Sequence, residues 1–282
     1  MPGHALPSEK PVDVVLSPVD IDVKGLVDAA VAAEEAGFDT VWTYDHLSGA
    51  VLNGASSLEV WGALAAIASA TERVSIGPLV INAALRHPAH VATAAATLQD
   101  LSGGRLRLGL GAGAGPQSPY SREASMLGLP VEGAASRREK VADVICYLRE
   151  LWSGADAYAG ATVGFVGVAG VALPRPVPQL VVGANGPKMA ALAGRLADGI
   201  NLHSWESDLP GLISVARKAA RLAGREPPEV SVEGPFENDW LDAPSGLRQR
   251  LRDLGVHRVM VRWNAGLGVG TIEQAGRSLR KG

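Results

Sequence analysis

With 282 residues, 47% of them apolar, and a formal net charge of −3, the chain can bury the core of one large α/β domain or two small ones. The weakly acidic balance points away from nucleic acid and anionic membranes as partners. Cys146, the single cysteine, excludes an internal disulfide.

The start, "MPGHALPSEK", has neither the apolar stretch nor the basic flank of a signal peptide. No uninterrupted apolar run is long enough to cross a bilayer. Together with the cysteine count, this predicts a cytoplasmic protein. "VDVVL" (12–16) reads as a strand and precedes a helix with Leu26, Val27, Ala30 and Ala33 on one face. "TVWTY" (40–44) precedes a helix near 57–69. "RVSIG" (73–77) leads through a loop to a helix opened by Pro88, with Val91, Ala94, Ala95, Leu98 and Leu101 as its stripe. Ser102-Gly103-Gly104 stops that helix.

"RLRLGL" (105–110) is the fourth strand, and the capping box Ser136-x-x-Glu139 predicts where the next helix begins. That helix buries Val141, Val144, Ile145, Leu148 and Trp152, and Cys146 within it reads as a core residue. Residues 153–176 are Gly-rich with strand-like pieces, the pattern of a small surface hairpin. "QLVVGA", "DGINLH", "EVSVEG" and "HRVMVRW" then resume the alternation, each followed by a helical stretch. Eight strand–helix units over residues 1–282 predict a single-domain (β/α)8 TIM barrel with a parallel sheet, a doubly wound open sheet being the structural alternative.

In a barrel the strands' C-terminal ends carry the functional residues. Here they are Tyr44-Asp45-His46, Asn82, Gly111-Ala112-Gly113-Ala114, Asn185-Gly186-Pro187, His203-Ser204-Trp205, Glu233 and Asn264. His46 is the imidazole with a carboxylate directly beside it, which makes it the acid/base candidate against the reading of an ordinary loop histidine. His203 reads either as a substrate contact or as an exposed residue. "GLGAGAGPQ" (109–117) supplies small residues that let a flat ring or a phosphate approach the backbone. Pro116, Pro119 and a long loop follow it, so it is no dinucleotide fingerprint and a flexible loop is the other reading.

Pro78 falls in a strand that a closed barrel would make central, so a bulge or an early strand end is required there. The turn Asn185-Gly186-Pro187-Lys188-Met189 puts a cation at a helix N-terminus, where the dipole disfavours one. It reads as an ordinary connection with a solvated lysine, or as a phosphate site in which the bound anion removes the conflict. The histidines form no metal-ligand pattern; His87 and His90 flank Pro88 and read as surface or capping residues. Neither a Gly-x-Ser-x-Gly elbow nor a Walker lysine is present.

"GFDTVWTYDH", "ATERVSIGPLVINAALRHPAHVATAAATLQDLSGGRLRLGLGAG", "LVVGANGPKMAALAGRLADGI" and "LRDLGVHRVMVRW" resemble, in order, the bacterial luciferase-like superfamily, and within it the branch that uses coenzyme F420. The resemblance implies a barrel with a flavin or deazaflavin at its mouth. It implies that Asn185, Gly186, Pro187, Lys188 and Met189 bind the cofactor's phosphate, and that Gly111, Ala112, Gly113 and Ala114 lie beside the cofactor with Asn82. It implies a non-proline cis peptide at Leu79–Val80 supporting the ring, and an active-site His46 preceded by Asp45. Tyr44, His203 and Trp205 are expected to shape the substrate pocket, and a loop around 114–133 to exclude water.

Two positions depart from the family. Its glutamate near the end of the fourth strand corresponds to Ala114, and its sugar-phosphate dehydrogenases carry a tryptophan where this chain has Ala50. Glu233 is a substitute for that glutamate or a partner of Arg262. The resemblance therefore implies an F420-dependent hydride-transferring oxidoreductase acting on a small organic molecule other than a sugar phosphate, and a homodimer. An FMN-dependent monooxygenase and a catalytically silent flavin- or deazaflavin-binding protein are the alternatives.

Overall fold

Strand β1 (Val12–Leu16) is buried at every position, as a parallel strand covered on both faces must be. The computed structural model describes residues 11–167, 169–242 and 245–279. After β1, helix α1 (Val23–Ala36) is capped by Asp22 at its start and ends at Gly37, whose φ of 95° suits a residue without Cβ. The chain continues through β2 (Thr40–Thr43), α2 (Val60–Ala70), β3 (Ser75–Pro78), β4 (Ile81–Asn82), α3 (Pro88–Leu101) and β5 (Arg107–Gly111). Then come α4 (Arg122–Met126), α5 (Ala134–Ser153), β6 (Ala157–Ala159), β7 (Gly164–Val166), β8 (Gln179–Gly183), α6 (Pro187–Leu196), β9 (Gly199–His203) and α7 (Leu209–Leu222). The last elements are β10 (Glu229–Pro235), α8 (Asn238–Leu241), α9 (Gly246–Asp253), β11 (Arg258–Trp263) and α10 (Val269–Leu279).

The strands pair in the order β3-β2-β1-β11-β10-β9-β8-β5-β4, and every pairing in this sheet is parallel. β3 and β4 are two pieces of one stave: β3 pairs with β2, and β4 pairs with β5. A parallel bridge from Ile76 to Leu106 closes the ring, so the sheet is a barrel and not a doubly wound open sheet. Pro78 resolves as an early strand end, and the cis peptide stands at Leu79–Val80.

Alternate strand residues fill the lumen. Val15, Trp42, Leu79, Val181 and Met260 form an inner cluster with Tyr44 and Val80 against it. The larger core lies between the outer strand faces and the helices. β6 and β7 form the antiparallel hairpin expected within 153–176, pairing Tyr158 with Phe165. Asp143 of α5 holds its turn, accepting from the Tyr158 hydroxyl at 3.1 Å, the Ala161 N–H at 3.1 Å and the Thr162 hydroxyl at 2.6 Å. Among the described residues no helix is long and apolar enough to cross a membrane.

Three local expectations are corrected. The Ser136–Glu139 capping box does not form: α5 begins at Ala134 after Gly133, so Ser136 already lies in the first turn, and its hydroxyl donates to Glu132 at 2.8 Å. Helix α2 starts at Val60, capped by Glu59, rather than near residue 57. In α3 the buried stripe is Val91, Ala92, Ala95, Ala96, Leu98 and Gln99; Leu101, the final helical residue, is exposed.

Candidate functional site

The exit of β2 places Tyr44, Asp45 and His46 at the C-terminal mouth. Asp45 is buried and already committed: it accepts from Arg86 at 2.9 and 2.6 Å and from the Asn82 N–H at 3.0 Å. It thereby ties the second stave to the broken third, holding the loop that carries His46. Arg86 was not singled out by the sequence, because only the fold brings it to Asp45. His87 acts as the N-cap of α3, accepting from the Ala89 N–H.

His46 does not stand open at the mouth. Its Nδ1 lies 3.2 Å from Oε2 of Glu123, a residue only 1% exposed. The other oxygen of Glu123 accepts from the Leu47 N–H at 2.7 Å and the Ser48 N–H at 3.2 Å. Tyr120 stacks on the imidazole, with centroids 5.3 Å apart and planes 24° apart. Both partners come from the segment after β5, where Ser118 caps a 3-10 turn at Pro119–Ser121 that runs into α4. Sequence reasoning marked this segment as a water-excluding loop but missed Glu123, which carries no local pattern of its own.

A second cluster gathers Tyr44, His203 and Trp205 with Glu233 and Arg262. The Tyr44 hydroxyl donates to Glu233 Oε1 at 2.9 Å, and the carboxylate is nearly fully buried. Burial, reinforced by the Glu233 charge, pushes the Tyr44 phenol well above its ordinary range, so it stays protonated. His203 Nδ1 lies 3.3 Å from Glu233 Oε2 but is not aligned for a hydrogen bond, while Arg262 Nε lies 3.6 Å from Oε1. His203 stacks on Trp205 at 4.1 Å and 9°, and the Arg262 guanidinium sits 4.7 Å from the Trp205 ring centroid. Glu233 thus does face Arg262, with Tyr44 as its closer partner.

The glycines at the end of β5 and just beyond it leave room for neighbouring protein groups. A Cβ on Gly109 would collide with the Pro78 carbonyl, and one on Gly111 with the Val80 side chain. At Gly113, φ is +63° and a Cβ would run into the Asn82 amide. The room these glycines leave is filled by the broken third stave. What they offer a ligand is backbone, Gly113 being exposed and Ala112 and Ala114 half-buried. The Gly113 carbonyl accepts from Arg137 at 2.8 Å.

The turn after β8 is open. Gly186 is the N-cap of α6 at φ 114° and ψ 168°, with no side chain capping the helix and nothing within 4 Å of where its Cβ would stand. Asn185, Pro187 and Lys188 are exposed and Met189 is buried. The first N–H groups of α6, those after Pro187, thus have no side-chain cap, and the neighbouring Lys188 has no ion pair among the described residues. No group of His, Cys, Asp or Glu able to hold a metal ion occurs among the described residues.

The topology and the grouping of polar side chains at one rim define a (β/α)8 barrel of the kind whose ligands enter at the strands' C-terminal ends. The chain matches the luciferase-like monooxygenase family over residues 2–236, and it belongs to that family. It is 32% identical over 223 residues to an F420-dependent hydroxymycolic acid dehydrogenase of Mycobacterium tuberculosis, covering 78% of this chain and 60% of that protein. It is 35% identical over 207 residues to an F420-dependent glucose-6-phosphate dehydrogenase of Beutenbergia cavernae, covering 70% of this chain and 60% of the relative. The chain thus spans about 60% of the length of these curated relatives. A solved F420-dependent secondary alcohol dehydrogenase, in complex with an F420-acetone adduct, superposes with a TM-score of 0.80 at 19% identity, covering 96% of this chain and 99% of that one. That likeness is one of fold.

Proposed function

We propose that the protein is an oxidoreductase that transfers hydride between coenzyme F420 and a small organic substrate, with His46 giving or taking the substrate proton. The observation that carries the reading is His46 itself, held at the barrel mouth through Nδ1 while Nε2 is left as its second nitrogen. The named relatives that use F420 support the choice of cofactor.

The residues fit a phosphate-bearing cofactor, because the uncapped α6 terminus and the open face of Gly186 supply donors without a Cβ in the way. In this reading Gly186, Lys188 and Met189 hold the phosphate with Asn185 and Pro187 shaping the turn. Gly111, Ala112, Gly113, Ala114, Leu79, Val80 and Asn82 border the ring, and Asp45 braces that wall through Asn82 and Arg86. Bound F420 supplies a carbon centre that accepts or gives up hydride, the chemistry that side chains lack.

Tyr44, His203 and Trp205 form the substrate wall, and the 118–126 segment excludes water. The chain has Ala50 in an exposed turn where a sugar-phosphate dehydrogenase has tryptophan, which favours alcohols, ketones, enones or imines. Family resemblance supports a homodimer, and the single cysteine supports a reducing, cytoplasmic setting.

The test is titration of the purified protein with F420 and, separately, FMN, followed by fluorescence. Tight binding of F420 alone, with turnover on one of those substrate classes, is the expected result. Preference for FMN overturns the reading in favour of oxygen activation. Tight F420 binding with no turnover on a broad panel overturns catalysis in favour of a binding protein.

A further inference from the structure

We propose that Glu123 is a positioning residue that sets the tautomer of His46, delivered to the imidazole by the 118–126 segment. This rests on His46 as the proton-transfer group. An ionised carboxylate has no proton to donate. Both backbone N–H groups that reach Glu123, from Leu47 and Ser48, point at Oε1, and Oε2 is left to face His46 Nδ1 at 3.2 Å. The imidazole proton therefore sits on Nδ1, and the lone pair of the neutral ring is on Nε2. Tyr120, three positions before Glu123 on the same segment, stacks on the ring and fixes its plane.

Glu123 is the carboxylate within reach of this imidazole. The neighbouring carboxylate, Asp45, is engaged by Arg86 and the Asn82 N–H and is not available to the imidazole. Ala114, just after β5, carries no carboxylate. A carboxylate still reaches the histidine, but from a separate, short helix. The group that orients the imidazole and the ring that stacks on it are thus one piece of chain.

Glu123→Gln tests this directly. The amide keeps the shape and the oxygen facing Leu47 and Ser48, but turns an NH2 toward Nδ1. The ring must then accept there and carry its proton on Nε2. Ring-nitrogen NMR of the cofactor-free protein, with His46 assigned from His46→Gln, is expected to show the Nδ1–H form in the wild type and the Nε2–H form in Glu123→Gln. Turnover is expected to fall about 10²–10⁴-fold with KM for the substrate little changed, as for other imidazoles held in the wrong tautomer.

Glu123→Ala, which offers neither donor nor acceptor, is expected to give a mixture of tautomers and serves if the glutamine variant misfolds. An unchanged tautomer in both variants overturns the proposal. Inversion of the tautomer in a protein that shows no F420-dependent turnover would uphold the role of Glu123 while removing the functional reading.

Discussion

The floor and the mouth of this barrel use the same side chains to different ends. At the floor, buried Asp13 accepts from Arg258 at 3.0 and 2.6 Å and from the Trp42 indole at 3.0 Å, while Arg107 pairs with Glu229 beside it. Burial alone would lower the Arg258 guanidinium, but the Asp13 charge outweighs it and holds it above its ordinary value. At the mouth, Glu233 is as deeply buried as Asp13, yet Arg262 stays 3.6 Å away and His203 Nδ1 has no aligned partner. The Asp13 carboxylate is engaged at both oxygens, although Arg107 Nε beside it has no hydrogen-bond partner. At the mouth Asp45 is likewise fully engaged, whereas Glu233 holds one hydrogen bond, from Tyr44, and two longer ionic approaches.

The sharpest way to break the comparison is to remove one acidic group or one imidazole from each end. Asp13→Ala strands the Arg258 charge in the floor, and is expected to cost about 3–5 kcal/mol in urea unfolding. His46→Ala at the mouth, which removes the partner of buried Glu123 Oε2, is expected to cost less, about 1–3 kcal/mol. It is expected to lower turnover by about 10²–10⁴-fold, with cofactor affinity kept. Equal loss of turnover and affinity would count against His46 as the proton-transfer group.

Gly111→Ala probes the mouth end of β5, where its new methyl meets Val80. A loss of about 1–3 kcal/mol is expected from overpacking, together with weakened cofactor binding as the third stave shifts. Wild-type stability would show that Val80 has room to move.

The smallest effect belongs to the peripheral hairpin. Burial would raise the Asp143 carboxyl, but hydrogen bonds from Thr162, Ala161 and Tyr158 outweigh it and hold the group below its ordinary 3.8. Its stabilising contribution is therefore complete above the unfolded-state value and is lost as pH falls through the lower folded-state value. Asp143→Asn is expected to cost about 1–2 kcal/mol at neutral pH and to flatten that acid-side loss in thermal melts.

Much of the barrel was legible because its signals are local. Strand alternation with helices, Pro88 opening α3 and Ser102-Gly103-Gly104 closing it each depend on a few neighbouring residues. Pro78 announced a break in the third stave because a missing N–H cannot be hidden in a closed sheet. The capping box misled for the opposite reason: Ser136 and Glu139 have the right spacing, but the helix is entered three residues earlier, with Gly133 as its N-cap.

The sequence by itself determined the order of elements, the strand exits that carry Tyr44, His46, Asn82, His203 and Glu233, and the cap-free glycine turn before α6. These follow from periodicity, backbone freedom and missing donors, all properties of short stretches. Only the tertiary structure decided that Glu123 meets His46, that Glu233 binds the Tyr44 hydroxyl, and that Val80 fills the space left by Gly111. Those contacts join segments far apart in the chain, and closing the ring is what brings their side chains within reach.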